Sequence, residues 1–144
     1  MLRPILGVLA GVIASVATVL GLETVTHSIY PPPPGLDATR MADAARIVAA
    51  MPMPAKVLVI VGWFLGTLFG GLIANRIVGA RWPGWVIAGL GAAGGIFSVM
   101  SIPHPLFMQV GAVAAPLIAA AIASALSPAG REPPAAPARL SGSR

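Results

Sequence analysis

Four long apolar segments alternate with short polar connections along this chain. They cover approximately residues 4–30, 55–78, 82–102 and 106–126. Residues 5–22 contain no charged side chain and, as a helix, are long enough to cross a hydrocarbon core about 30 Å thick. Because a backbone in lipid must satisfy its own hydrogen bonds, each segment is predicted to form a helix. The pattern therefore predicts an all-α membrane protein, with four transmembrane helices packed as a bundle.

A short amphipathic helix is predicted between the first two spans. Residues 31–34 are all proline, which ends the first helix because proline lacks an N–H and fixes φ. Residues 37–51 are rich in alanine, and Asp37 is the expected N-cap of a helix there. Its apolar and charged residues fall on separate faces, the apolar ones being Met41, Ala44, Ala45 and Val48. The segment is too short to span, so we expect a helix on the membrane surface.

Small residues recur at four-residue spacing in the predicted spans. In the second span they form a glycine face of Gly62, Gly66 and Gly70. Lipid provides no hydrophobic force between helices, so close backbone contact through small residues has to stabilise their packing. The spacing predicts a helix–helix contact at this face. It leaves open whether the partner is in the same chain, in a second copy that forms a homo-oligomer, or in another membrane protein.

The composition agrees with a membrane location. Of the 144 residues, 57% are hydrophobic and 9% are charged, whereas about a quarter are charged in a typical soluble domain. The chain has no cysteine, which excludes disulfides and Cys-based metal sites. The net charge is +5, but the basic residues are scattered singly and have no aromatic residues between them. We therefore predict the lipid bilayer as a partner, and no nucleic acid.

The basic residues also predict an orientation. Four spans place both termini on one side, together with most of the basic residues: Arg3, Arg76, Arg81, Arg131, Arg139 and Arg144. The other side has Arg40, Arg46 and Lys56. Because cytoplasmic segments carry the excess of Lys and Arg, both termini are predicted to be cytoplasmic. Residues 1–127 are predicted to form a single transmembrane domain, and residues 128–144, rich in Pro, Ala and Ser, a disordered cytoplasmic tail.

Three ionisable residues are candidates for a site at the outer ends of the spans. Glu23 and His27 are one helical turn apart in the first apolar segment. At 1.5 Å per residue, Glu23 lies about 27 Å beyond Ile5 and thus near the outer edge of the hydrocarbon core. His104 lies between two prolines in the connection of the third and fourth spans. The topology places this connection on the same side, so the three residues are predicted to form a polar cluster.

Three interpretations of this cluster remain open. In the first, Glu23 and His27 form an i,i+4 pair, and the cluster holds the spans together. In the second, it binds a small molecule, an ion or a proton, since ionisable residues in spans are functional candidates. In the third, Glu23, His27 and His104 bind zinc or iron, although their spacing is a weak pattern. No nucleophile–base arrangement or phosphate loop is present, so no catalytic residue and no cofactor is predicted.

Three short motifs resemble segments of a group of small, uncharacterised bacterial inner-membrane proteins with four spans. They are GLETVTHSIYPPPPGLD, GWFLGTLFGG and IPHP, within about residues 5–110. The resemblance implies a multi-pass protein of the bacterial inner membrane, and no activity. Small multidrug-resistance transporters are also four-span proteins, with a cation-binding glutamate near mid-membrane, whereas Glu23 lies near one end of its span. We expect a structural or accessory, non-enzymatic protein, with a small transporter or ion-binding protein as the alternative.

Overall fold

The computed structural model describes residues 2–37 and 39–127. Within these residues the chain forms five α-helices and no strand: α1 (Leu2–Ile29), α2 (Met41–Ala50), α3 (Met53–Val78), α4 (Trp82–Ser101) and α5 (Leu106–Ala125). The helices α1, α3, α4 and α5 are long and apolar enough to cross a membrane. The predicted all-α fold, with four such helices, is therefore confirmed. The predicted tail, residues 128–144, lies outside the described residues.

Each long helix runs antiparallel to the long helix that precedes it in the chain, so the bundle has two chemically different ends. One end, here called the proline end, contains residues 31–34, α2 and the connection around His104. The opposite end, here called the arginine end, contains Arg3, Arg76 and Arg81. There α3 ends at Gly79, whose φ of 77° is the left-handed conformation that glycine adopts readily. This arrangement places the three predicted site residues at the proline end.

The small-residue faces of α1 and α3 pack directly against each other. A Cβ added at Gly70 would lie 2.5 Å from the carbonyl oxygen of Gly11, and one at Gly66 would lie 3.0 Å from the carbonyl oxygen of Ser15. These are backbone contacts, the kind that small residues permit in a membrane. The glycine face of α3 is thus covered by α1 of the same chain. A second copy or another protein at this face stays a prediction, and it would have to displace α1.

A buried asparagine joins three helices at the arginine end. Asn75 in α3 is 1% exposed. Its Oδ1 accepts a hydrogen bond from the N–H of Gly84 at 2.7 Å, in the first turn of α4. Its Nδ2 donates to the hydroxyl of Ser127 at 3.1 Å, just after α5. That hydroxyl in turn donates to the carbonyl of Ala123 at 2.6 Å, so each polar group of this buried network has a partner.

The start of α2 differs from the prediction. The helix begins at Met41, its N-cap is Arg40, and no side chain caps it, so the predicted N-cap at Asp37 is wrong. The Asp37 carboxylate instead accepts hydrogen bonds from the hydroxyl of Thr39 at 2.7 Å and from its N–H at 2.9 Å. Aspartate favours such local turns, which compete with helix formation. The two bonds, the hydroxyl first, lower the pKa of the Asp37 carboxyl.

Candidate functional site

A cavity of about 230 Å³ lies at the proline end, between α1, α2, α3 and the connection from α4 to α5. We call it the proline-end cavity. Glu23 and His27 of α1 and His104 of the α4–α5 connection all line it. The antiparallel topology therefore brings the three predicted site residues to the walls of one cavity.

The rest of this cavity is mainly apolar. Its apolar lining comes from four helices and the α4–α5 connection: Val19, Leu22, Ala44, Ile47, Val48, Met51, Leu58, Val59, Trp63, Ile102 and Met108. Gly62 also lines it, and a Cβ added there would lie 3.8 Å from Leu22, an ordinary contact distance. Gly62 was predicted as a packing residue like Gly66 and Gly70. It is buried, but it borders open space instead of a neighbouring backbone.

Glu23 and His27 do not form the predicted i,i+4 pair. Both belong to the described part of the chain, and no hydrogen bond or ion pair joins their side chains. Glu23 is exposed and His27 is half-buried. The carboxylate and the imidazole therefore keep their hydrogen-bonding capacity for water or for a molecule in the cavity.

The loop around His104 holds its imidazole through the backbone. Nδ1 of His104 lies 2.6 Å from the carbonyl oxygen of Ile102. A carbonyl only accepts hydrogen bonds, so Nδ1 carries a proton in this contact, and Nε2 accepts a hydrogen bond when the ring is neutral. The side chain of Gln109 donates to the carbonyl of His104 at 2.8 Å and closes the turn. The acceptors of the site thus include the Glu23 carboxylate and, in its neutral form, Nε2 of His104.

The metal interpretation does not fit this geometry. Within residues 2–37 and 39–127, no three His, Asp or Glu side chains lie close enough together to hold a metal ion. Glu23, His27 and His104 share a cavity, but they do not converge on one point as zinc or iron ligands must. The alternative metal site at these three residues is therefore not formed in this arrangement.

The helix α2 covers the proline-end cavity. Ile47 is its buried residue, and together with Ala44, Val48 and Met51 it faces the cavity. The predicted apolar face omits Ile47 and includes Met41, which is 63% exposed. The spacing 44, 47, 48 and 51 is that of one helical face, a signal that identifies Ile47. Unlike the long helices, α2 makes no extensive contact with any other helix.

A second cavity of about 230 Å³ lies beside the first, nearer the middle of the bundle. We call it the central cavity. It is bordered by α1, α3 and α4, and three glycines of α4 line it: Gly91, Gly94 and Gly95. Val19 and Trp63 line both cavities, so the two spaces are adjacent. No residue pattern in the sequence indicates this cavity, because it depends on how far α1 and α4 lie apart.

The chain matches no protein-family model, no curated protein and no solved structure. The chemistry of the site is therefore inferred from its own residues. An apolar cavity with a small number of polar groups at one end is the usual form of a small-molecule binding site. The proline-end cavity has this form.

Proposed function

We propose that this chain is an accessory, non-enzymatic membrane protein that binds a small amphipathic molecule in the proline-end cavity. The observation that carries the proposal is the lining of this cavity. Its walls are apolar, while Glu23, His27 and His104 contribute polar groups to the same space. An amphipathic molecule fits both the apolar walls and the polar groups. Its apolar body displaces water from the walls, and its polar group forms hydrogen bonds with the polar side chains.

Within the described residues, the side chains of Glu23, His27 and His104 form no hydrogen bond to another helix, which supports a binding role over a purely structural one. Polar residues that hold helices together in a membrane bond to one another across the interface. Glu23 and His27 form no such bond with each other, and His104 bonds within its own loop. The polar groups that do join helices include those of Asn75, Gly84 and Ser127 and the guanidinium of Arg3, which donates to the carbonyl of Ile77, all at the opposite end of the bundle.

Passage of a solute through the bundle is not part of the proposal. The contact between Gly11 and Gly70 and the network of Asn75 fill the half of the bundle nearest the arginine end. A transporter of this architecture needs a second state in which these contacts open. The proposal is therefore a binding protein, and the transport alternative has no specific observation in its favour.

We further propose that the protein lies in the bacterial inner membrane with both termini in the cytoplasm. The support is the length and apolar character of the four long helices and the distribution of basic residues in the sequence. Arg3, Arg76 and Arg81 lie at the arginine end, and the sequence has further arginines after residue 127. The positive-inside rule then assigns the arginine end to the cytoplasm and the proline-end cavity to the outer face.

Thermal unfolding of the purified protein with three matched probes tests the binding proposal. Phenethylamine, phenethyl alcohol and phenylacetate have similar apolar bodies and differ in the charge of the polar group. A ligand that binds the folded state raises the melting temperature. We expect at least one probe to stabilise the wild type, and Glu23→Gln to change which probe stabilises most. In the absence of probes, Glu23→Gln should leave the melting temperature nearly unchanged, because the carboxylate has no internal partner.

A pair of variants in α2 locates the binding. Ala44 lines the proline-end cavity, whereas Ala42 is exposed and lines none of the cavities described above. Ala44→Phe should fill the cavity and abolish the stabilisation, while Ala42→Phe should retain it. If no probe stabilises the wild type, or if Ala44→Phe responds like Ala42→Phe, the proposal is wrong. A large loss of stability in Glu23→Gln without any probe would instead favour the structural interpretation.

A further inference from the structure

The two adjacent cavities lie end to end along α1 and together give an elongated space with polar groups at one end. We propose that this space holds a single-chain amphiphile with an ammonium head, a molecule drawn from the surrounding membrane. The head lies beside Glu23, and the hydrocarbon chain passes Trp63 into the central cavity. This inference rests on the proposed binding function and specifies the class of the ligand.

The two cavities are adjacent because they share two wall residues. Val19 of α1 and Trp63 of α3 line both cavities. On α1 the lining extends from Val12 in the central cavity to His27 in the proline-end cavity. At 1.5 Å per residue this is about 22 Å along the helix axis, the length of an extended chain and not that of a compact solute.

The charge at the polar end selects the head group. Among the described residues that line the two cavities, Glu23 is the only acidic one, and none is Lys or Arg. When the ring of His104 is neutral, Nε2 is a further acceptor, because Nδ1 is bonded to the backbone. An ammonium group has donors only, and it complements a carboxylate and an imidazole nitrogen. An anionic head would meet the Glu23 carboxylate, and the basic side chains among the described lining residues are the imidazoles of His27 and His104, with no Lys or Arg.

The size and lining of the central cavity select the tail. The walls are mainly apolar, and Ser15 and Thr67 contribute their polar groups. With about 230 Å³ in each of two cavities that lie end to end along α1, the space is long relative to its volume. This favours one chain over the two chains of a phospholipid. Access is from the lipid, because the central cavity lies between helices at mid-bundle.

Two glycines of α4 provide a matched pair of variants. A Cβ added at Gly94 or at Gly89 meets no atom within 4 Å, so neither position resists a larger side chain by contact. Both are exposed positions of the same helix. Gly94 lines the central cavity, whereas Gly89 lines none of the cavities described above. Gly94→Leu should therefore fill the tail site, and Gly89→Leu should add the same side chain outside it.

Quenching of Trp63 fluorescence measures whether the hydrocarbon chain of the ligand lies beside this residue. The protein is placed in lipid nanodiscs after Trp82→Phe and Trp85→Phe, which leaves Trp63 as its tryptophan. The probe is dodecylamine with bromine at mid-chain, and the comparison probe is the corresponding brominated dodecanol. We expect saturable quenching by the amine that unlabelled dodecylamine reverses. Gly94→Leu should abolish the saturable part and Gly89→Leu should keep it. Glu23→Gln should weaken the binding of the amine about tenfold and leave the affinity for the alcohol unchanged.

The outcomes separate this inference from the proposed function. Stabilisation by phenethylamine that depends on Ala44, together with amine quenching that is insensitive to Gly94→Leu, would overturn the single-chain inference and retain the binding function. Equal affinity for the amine and the alcohol would overturn the proposal that the ligand has an ammonium head. Quenching of Trp63 by a two-chain phospholipid with bromine at mid-chain, if Gly94→Leu abolishes it and Gly89→Leu keeps it, would overturn the single chain. Failure of every probe in both assays would remove the proposed function as well.

Discussion

The carbonyl oxygen of Gly11 lies 2.5 Å from the position that a Cβ of residue 70 would occupy. The backbones of α1 and α3 are therefore in contact at this point, and no side chain can move away to make room. The same face contains Gly66, where an added Cβ would lie 2.7 Å from Val19. The contact between these two helices depends on the absence of side chains at these positions.

Gly70→Ala should destabilise the protein, because the new methyl group forces α1 and α3 apart. Overpacking of this kind costs about 1–3 kcal/mol. The measurement is thermal or denaturant unfolding in detergent. Gly21→Ala is the control, since a Cβ at Gly21 in α1 meets no atom within 4 Å. Equal stability of the two variants would show that α1 and α3 do not pack as described.

Asn75→Leu should also destabilise the protein, because it leaves the N–H of Gly84 without its partner. This N–H belongs to the first turn of α4, where no helix carbonyl is available to it. A buried donor left unsatisfied costs about 1–3 kcal/mol. Ser127→Ala keeps the bond to Gly84 but removes two others, the bond from Nδ2 of Asn75 and the bond to the carbonyl of Ala123, so it should destabilise the protein as well. Unfolding of both variants in detergent gives the measurement, and wild-type stability of either variant would contradict the network.

The turn between α1 and α2 should loosen in acid. Bonds from Thr39 lower the pKa of Asp37 in the folded state below its value in the unfolded chain. The ionised carboxylate therefore stabilises the turn above the unfolded pKa, and this contribution is lost as the pH falls through the folded pKa. Hydrogen exchange of residues 37–40 across acidic pH measures the effect. Asp37→Asn should remove the pH dependence, and a dependence that persists in this variant would assign it to another group.

The orientation can be measured directly with reporter fusions. A reporter of cytoplasmic location fused after Arg144 should be active, and a reporter of periplasmic location inserted after Asp37 should be active as well. The physical reason is the excess of arginine at the arginine end and beyond it in the sequence. The opposite pattern would place the proline-end cavity at the cytoplasmic face. It would leave the cavity and its lining unchanged.

The number and type of helices followed from local properties of the sequence. A segment long and apolar enough to cross a bilayer has to form a helix there, whatever its neighbours are, because the backbone must satisfy its own hydrogen bonds. The prolines of residues 31–34 and the alanine-rich segment after them likewise predicted a short separate helix. The error at Asp37 was local too, since its side chain can cap a helix or form a turn, and the turn formed.

The candidate site was predictable only in part. Antiparallel topology was enough to place Glu23, His27 and His104 at the same end of the bundle. The tertiary structure decided that Glu23 and His27 are not bonded to each other, and that Trp63 stands between two cavities. It also decided that Gly66 and Gly70 touch α1, whereas Gly62, at the same spacing, borders a cavity. Periodicity is a property of one helix, but contacts and cavities depend on the distance and angle between helices that are far apart in the chain.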